Sequence, residues 1–293
     1  MKKYLSMIMS LVLTIVLLTG CGGKENPVDS GKATTAPSVT QGSEQTPAPT
    51  VTSDDKIPAT EVYVFIAASL SNAMKEIATM YHTSQPNVKI TYNADSSGTL
   101  LTQIQEGAEC DIFFSAATKQ MATLSDAGSI ETDSSVDLLK NKVVLIQPKE
   151  GKTEVTGFDN VFKAKNIALA AEGVPAGDYA RDIFKNLKVW DKVSKMEINE
   201  GSNVTAVLTA VSEASNEVGV VYESDAVSMK DSVKILATAP ESSLTKPVLY
   251  PVAQVINKEA DDTQKKAAKD FLAFLSTEEV LKIFEKYGFT VNK

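Results

Sequence analysis

The stretch Val62-Tyr63-Val64-Phe65-Ile66-Ala67-Ala68-Ser69-Leu70 decides how the rest of the chain is read. Its first six residues form a buried-strand pattern. Leu70, Ala73, Met74, Ile77 and Tyr81 then recur at helical spacing until Pro86. The same change of period follows twice. Val88-Lys89-Ile90-Thr91-Tyr92 reads as a strand, and Ser96-Ser97-Gly98-Thr99-Leu100 opens a helix that carries Leu101 and Ile104 and stops near Gly107. Ile112 to Phe114 is the third strand. The order βαβαβ predicts an α/β fold with a mostly parallel sheet and helices on both faces.

A second series begins at Val143-Val144-Leu145-Ile146. Ile167-Ala168-Leu169-Ala170 leads to Val174-Pro175-Ala176-Gly177, and Ala180, Ile183, Phe184 and Leu187 continue at helical spacing. Pro175 suits the first turn of that helix, where its missing N–H would have no partner anyway. Gly201-Ser202-Asn203 caps a helix bearing Val204, Val207, Leu208 and Val211. Val218-Gly219-Val220-Val221-Tyr222 is a short buried strand, and Pro247 to Ala253 is a strand crossing back. Two helices close the chain, one near Thr263–Leu275 and one with Ser276 and Glu279 as a capping box, stopping at Gly288. Two α/β lobes follow, with a ligand crevice outside the carboxyl ends of their strands.

Four helix starts, at Ser69, Ser97, Ala176 and Val204, come just after strands or loops. Each offers unpaired N–H donors and the positive end of a helix dipole, and the two serines add hydroxyls. Tyr222, at a strand end, is a further donor. One capping serine is ordinary; the recurrence points to a small inorganic oxyanion held by neutral dipoles. Dipole attraction contributes ~0.3–2 kcal/mol per terminus, and hydrogen bonds to a charged group ~1.5–3 kcal/mol each before desolvation. A shell of donors also selects by protonation. Phosphate near neutral pH keeps a proton that needs an acceptor, whereas sulfate, molybdate and tungstate carry none.

Composition removes other classes. The chain has 293 residues with 29 basic and 37 acidic side chains, a net charge of −8. Without Lys2 and Lys3 of the leader the balance is 27 against 37, or −10, which argues against a nucleic-acid surface. His82 is the single histidine and reads as a solvated helix residue, so a serine or cysteine nucleophile would depend on it alone. Histidines and cysteines are too few for a zinc site. Cys110, in Glu109-Cys110-Asp111-Ile112-Phe113-Phe114, reads as a small core residue. Arg181 is the only arginine, so any bidentate clamp on a carboxylate would have to use it. Lys149-Glu150-Gly151-Lys152-Thr153 is no phosphate loop, because Ile146 stands where the first glycine belongs.

The N-terminus reads as an address. Lys2 and Lys3 precede an apolar run from Leu5 to Leu18 ending in Leu18-Thr19-Gly20-Cys21, the pattern of a bacterial lipoprotein signal. Cleavage before Cys21 and lipid on its thiol are expected, with the globular part outside the cytoplasm and anchored to the membrane. The Ser/Thr/Pro-rich residues 21–58 are expected to form a disordered tether with ends roughly 35 Å apart.

The chain resembles the molybdate-binding lipoprotein of ABC-type molybdate importers from Val62 to Val291. The resemblance is carried by Phe65-Ile66-Ala67-Ala68-Ser69-Leu70-Ser71-Asn72-Ala73, Ser96-Ser97-Gly98-Thr99-Leu100, Asp111-Ile112-Phe113-Phe114-Ser115-Ala116, Val174-Pro175-Ala176-Gly177-Asp178-Tyr179-Ala180, Gly219-Val220-Val221-Tyr222-Glu223-Ser224-Asp225-Ala226 and Tyr287-Gly288-Phe289-Thr290. It implies the two-lobed periplasmic-binding-protein type joined by hinge strands. The divisions expected are 1–20 for the signal, 21–58 for the tether, 59–141 plus 253–293 for the first lobe and 142–252 for the second. It places oxyanion contacts on the hydroxyls and amides of Ser69 and Ser97, the amides of Ala176 and Val204, and the phenol of Tyr222. No protein atom would bind the metal directly, and neither cofactor nor catalysis is implied. Molybdate, with tungstate as a near-isostere, would be passed by a monomer to a membrane permease. Ala170-Ala171-Glu172-Gly173 and Gly201-Ser202-Asn203 depart from the family pattern. The alternatives are a binder of sulfate or another tetrahedral anion and, more remotely, a surface hydrolase using Ser69 or Ser97.

Overall fold

The computed structural model describes residues 56–293, so Cys21, the leader and most of the expected tether lie outside the described residues. The first strand, β1 (Thr60–Ala67), is followed by a short 3-10 turn at Ala68–Leu70 and then by α1 (Ser71–Ser84). Next come β2 (Val88–Asp95), α2 (Ser97–Gln105), β3 (Ile112–Phe114), α3 (Thr118–Asp126) and β4 (Val136–Asn141). The chain then crosses into β5 (Val143–Pro148), β6 (Asn166–Ala170), α4 (Pro175–Asn186), the short α5 (Trp190–Val193), β7 (Glu197–Gly201) and α6 (Val204–Ser212). After β8 (Val218–Tyr222), α7 (Glu223–Ser228) and β9 (Val233–Thr238) it returns as β10 (Val248–Gln254). It ends in α8 (Asp262–Phe274), α9 (Glu278–Lys286) and β11 (Thr290–Val291).

The strands form two sheets, ordered β11-β4-β10-β3-β1-β2 and β7-β6-β8-β5-β9. Both are mixed. β1 runs parallel to β2 and β3, and β6 runs parallel to β7 and β8, but β10 and β5 pair antiparallel with their neighbours. The expectation of mostly parallel sheets fails at the strands that carry the chain between lobes. A strand arriving from the other lobe has no helix to reverse its direction and enters antiparallel.

The near-continuous apolar run of β1 is explained by cover on both faces. Val62, Val64 and Ile66 pack in the core that holds Met74, Ile77 and Phe271, while Phe65 packs with Leu100, Phe113 and Leu124 on the other side. Cys110 is buried with Phe65 and Leu100, and burial pushes its thiol pKa up, as suits a core residue.

Three boundaries differ from the sequence reading. The line between 252 and 253 falls inside β10, which pairs wholly with β3 and β4, so Val248–Val252 belong to the first sheet. Ile57, placed in the tether, is 2% exposed and its N–H donates to Gln85 Oε1, so the packed structure starts before residue 59. The capping box of Ser276 and Glu279 does not form. The N–H groups of Ser276 and Thr277 donate to Ala273 and Phe274 as the chain turns out of α8, which makes Thr277 the residue preceding α9.

Candidate functional site

Every loop that follows the carboxyl end of a parallel strand reaches one hollow between the two sheets. Ala67–Ser69 follow β1, Asp95–Ser97 follow β2 and Ala116 follows β3, while Val174–Ala176, Val204 and Tyr222 come from β6, β7 and β8. All five sequence-predicted contacts, Ser69, Ser97, Ala176, Val204 and Tyr222, line it. The free space at its centre is about 10 Å³, and the hollow with its mouth measures about 210 Å³. Sites for drug-sized ligands run to ~300–1,000 Å³, so this one suits a small ion. Among the described residues lining it, Asp95 alone carries a formal charge, so the shell is not made of donors alone.

The first lobe offers two hydroxyls, each held by a protein partner. Ser97, the first residue of α2, accepts the Ala116 N–H on its Oγ at 2.9 Å, which frees its own proton. The capping itself is done by Ser96, whose Oγ accepts the Thr99 N–H at 3.1 Å. Ser69 Oγ lies 2.9 Å from Tyr250 Oη, and Asn141 Nδ2 donates to that phenol at 3.3 Å. Either hydroxyl can donate in the Ser69–Tyr250 bond, and with Tyr250 as the donor the serine hydrogen is left for the hollow. Ser69 sits in the 3-10 turn, one turn before α1.

The second lobe offers amides. Pro175 begins α4 as predicted, so the N–H groups of Ala176 and Gly177 have no acceptor within the helix. Gly177 is required here, since a Cβ would stand 2.2 Å from the Ala170 oxygen and 2.4 Å from that of Ala171. Asn203 caps α6 as predicted, its Oδ1 accepting the Ala206 N–H at 3.0 Å, which leaves the amides of Val204 and Thr205 at the helix start. Tyr222 is 1% exposed and its hydroxyl has no hydrogen-bond partner among the described residues. A buried polar group without a partner costs ~1–3 kcal/mol, so this phenol is a donor waiting for an acceptor. Burial, with Tyr250 and Tyr179 beside it, holds its pKa well above the usual phenol value, so it stays protonated.

Asp225 lies beneath Tyr222 and accepts its backbone N–H at 3.0 Å. Burial raises its carboxyl to about 7, against the hydrogen bond from Tyr222, which lowers it. Sequence reasoning missed Asp225, Tyr250, Asn141 and Asp95. Tyr250 carried a signal, a tyrosine inside an apolar strand beside Pro251, where a buried phenol needs a partner.

The other chemistry-bearing residues stay away from the hollow. His82 is exposed near the end of α1 and lines a separate surface groove with Thr79 and Pro86, so no imidazole reaches Ser69 or Ser97. Arg181 is buried and bonded to the carbonyls of Ala170 and Gly177 and to Glu200, so it braces the start of α4. Among the described residues no group of three or more His, Cys, Asp and Glu could hold a bare metal ion, and no helix is long and apolar enough to cross a membrane.

Comparison with known proteins identifies the family. The family described as bacterial extracellular solute-binding proteins matches residues 62–290. The chain is 35% identical to YvgL of Bacillus subtilis, named as an ABC transporter substrate-binding lipoprotein, over 99% of both chains. It is 35% identical to the molybdate-binding protein ModA of Escherichia coli over 79% of this chain and 90% of that one. A solved structure described as the substrate-binding domain of a molybdenum ABC transporter from Clostridium difficile superposes with a TM-score of 0.61. It is 36% identical and covers 80% of this chain and 99% of its own.

Proposed function

We propose, from the premise that this chain belongs to the bacterial extracellular solute-binding protein family, that its hollow captures molybdate for delivery to an ABC permease. Tungstate, nearly the same size and charge, is the second ligand. The reading includes lipid on Cys21 as the membrane anchor, and neither covalent chemistry nor a resident cofactor takes part.

The observation that carries the proposal is the convergence of neutral donors on one small space. Ser69 and Ser97 come from the first lobe, and the amides of Ala176 and Val204 with the unpartnered phenol of Tyr222 come from the second. A dianion between them gains hydrogen bonds worth ~1.5–3 kcal/mol each against its lost hydration. Preformed amides and hydroxyls need little reorganisation, which suits a fully deprotonated oxyanion. Asp95 Oδ1 accepts from the Ser96 N–H and from Asn203 Nδ2, so it helps hold the starts of the two helices that carry Ser97 and Val204.

Isothermal titration with molybdate, tungstate, sulfate and phosphate tests the assignment. Tight binding of molybdate and tungstate with weak heats from sulfate and phosphate is expected. Equal affinity for sulfate and molybdate would overturn the molybdate assignment and leave a general binder of tetrahedral dianions.

A further inference from the structure

Two second-lobe segments, Ala170-Ala171-Glu172-Gly173 and Gly201-Ser202-Asn203, put no side chain into the hollow. Both reach across the cleft. Asn203 Nδ2 donates to Asp95 Oδ1 at 3.1 Å. Nearby, Gly98 of α2 backs onto Gly173, and a Cβ on Gly98 would stand 2.7 Å from the Gly173 carbonyl oxygen. Gly173 itself has φ +83°, a left-handed conformation that brings its carbonyl to that point without a side chain.

Each partner of the hydrogen bond is first fixed by its own lobe. Asp95 Oδ1 accepts the Ser96 N–H at 2.7 Å, and Asn203 Oδ1 is committed to capping α6. The cap settles the amide orientation, so Nδ2 is the only end of Asn203 that can face Asp95. The bond therefore ties the start of α2 to the start of α6, the two helices that bring Ser97 and Val204 to the hollow.

We propose that Asp95 and Asn203 form a latch across the cleft, with Gly98 and Gly173 as the seam that lets it shut, and that this latch sets how long a captured oxyanion is retained. The retention half rests on the oxyanion reading of the hollow; the closure half does not. Asp95 and Asn203 are positioning residues here. A hydrogen bond to a carboxylate corresponds to roughly ten- to hundred-fold in an equilibrium constant, and partial exposure of both partners places this one near ten-fold. A contact made only on closure acts on release more than on capture.

The test uses the full chain with Asn203→Asp, which keeps the helix cap but removes the donor. It is compared with Gly98→Ala and with Asn203→Ser, which also caps the helix but sets no second carboxylate beside Asp95. Small-angle scattering of the ligand-free protein reads closure alone. A larger radius of gyration for all three variants than for wild type is expected. Release of radiolabelled molybdate into excess unlabelled molybdate should be about ten-fold faster in all three variants. Unchanged scattering in Asn203→Asp overturns the latch. Unchanged release with opened scattering overturns its role in retention. If wild type takes up no molybdate in calorimetry, the oxyanion reading fails, and the scattering still judges the latch.

Discussion

The first lobe meets the hollow with side chains, Ser69 and Ser97, whose hydroxyl oxygens are held by Tyr250 and by the Ala116 N–H. The second meets it with the main chain at Ala176 and Val204, and with one phenol that none of the described residues satisfies. A half-site of hydroxyls depends on residue identity at each position and on the partners behind it. A half-site of amides depends on backbone shape, and tolerates many side chains as long as the helix starts in the same place. The same ion thus imposes two different constraints on one chain.

That contrast can be broken at its backbone end first. Gly177→Ala puts a methyl against two carbonyl oxygens, and should cost about 3 kcal/mol or more, lowering the melting temperature by roughly 10 °C. Thermal unfolding by circular dichroism checks it. The next largest effect is on pH dependence. The raised carboxyl of Asp225 means that the folded state holds its proton up to about pH 7, whereas the unfolded chain releases it near its ordinary value. Its burial therefore destabilises the fold increasingly as pH rises through that window, and the charged form bears the full cost above it. Asp225→Asn, which keeps an acceptor for the Tyr222 N–H, should abolish this slope. By about pH 8 it should gain up to a few kcal/mol on wild type, relative to the difference at about pH 4, in urea unfolding.

Ser97→Ala removes a donor to the ion and leaves the buried Ala116 N–H without its acceptor. Molybdate affinity should fall roughly ten- to hundred-fold by calorimetry. Tyr222→Phe should lower affinity about ten-fold yet leave the ligand-free protein as stable or slightly more so, because the lost hydroxyl had no partner. A large loss of ligand-free stability would show that the phenol is satisfied in solution. The smallest effect belongs to Val204→Ala, which truncates a buried side chain and lowers stability but keeps the amide. Affinity should change less than about two-fold, and a larger loss would show that the second half-site is not a backbone device.

Much of this was legible in the order of residues because it depends on local physics. The strand-to-helix changes at Ser69, Ser97, Pro175 and Asn203 follow from periodicity and capping, and the structure brings all five named site residues to one hollow. What the sequence hid depends on distant pairing. Tyr250 lies 181 residues from Ser69 and Asn203 lies 108 from Asp95, and no local pattern announces either contact. The antiparallel entry of β10 was hidden for the same reason, since an apolar strand reads alike in both directions.

The near absence of charge around the hollow has a consequence for the medium in which the protein works. Dissolved salt weakens attraction between exposed charges, but dipoles packed against a desolvated ion are screened far less. The equilibrium grip of such a site should therefore survive brine. Encounter is another matter, because a chain with a net charge of −8 repels an incoming dianion at a distance. Added electrolyte damps that repulsion, so uptake should quicken as ionic strength rises, the reverse of what a lysine-lined anion trap would do.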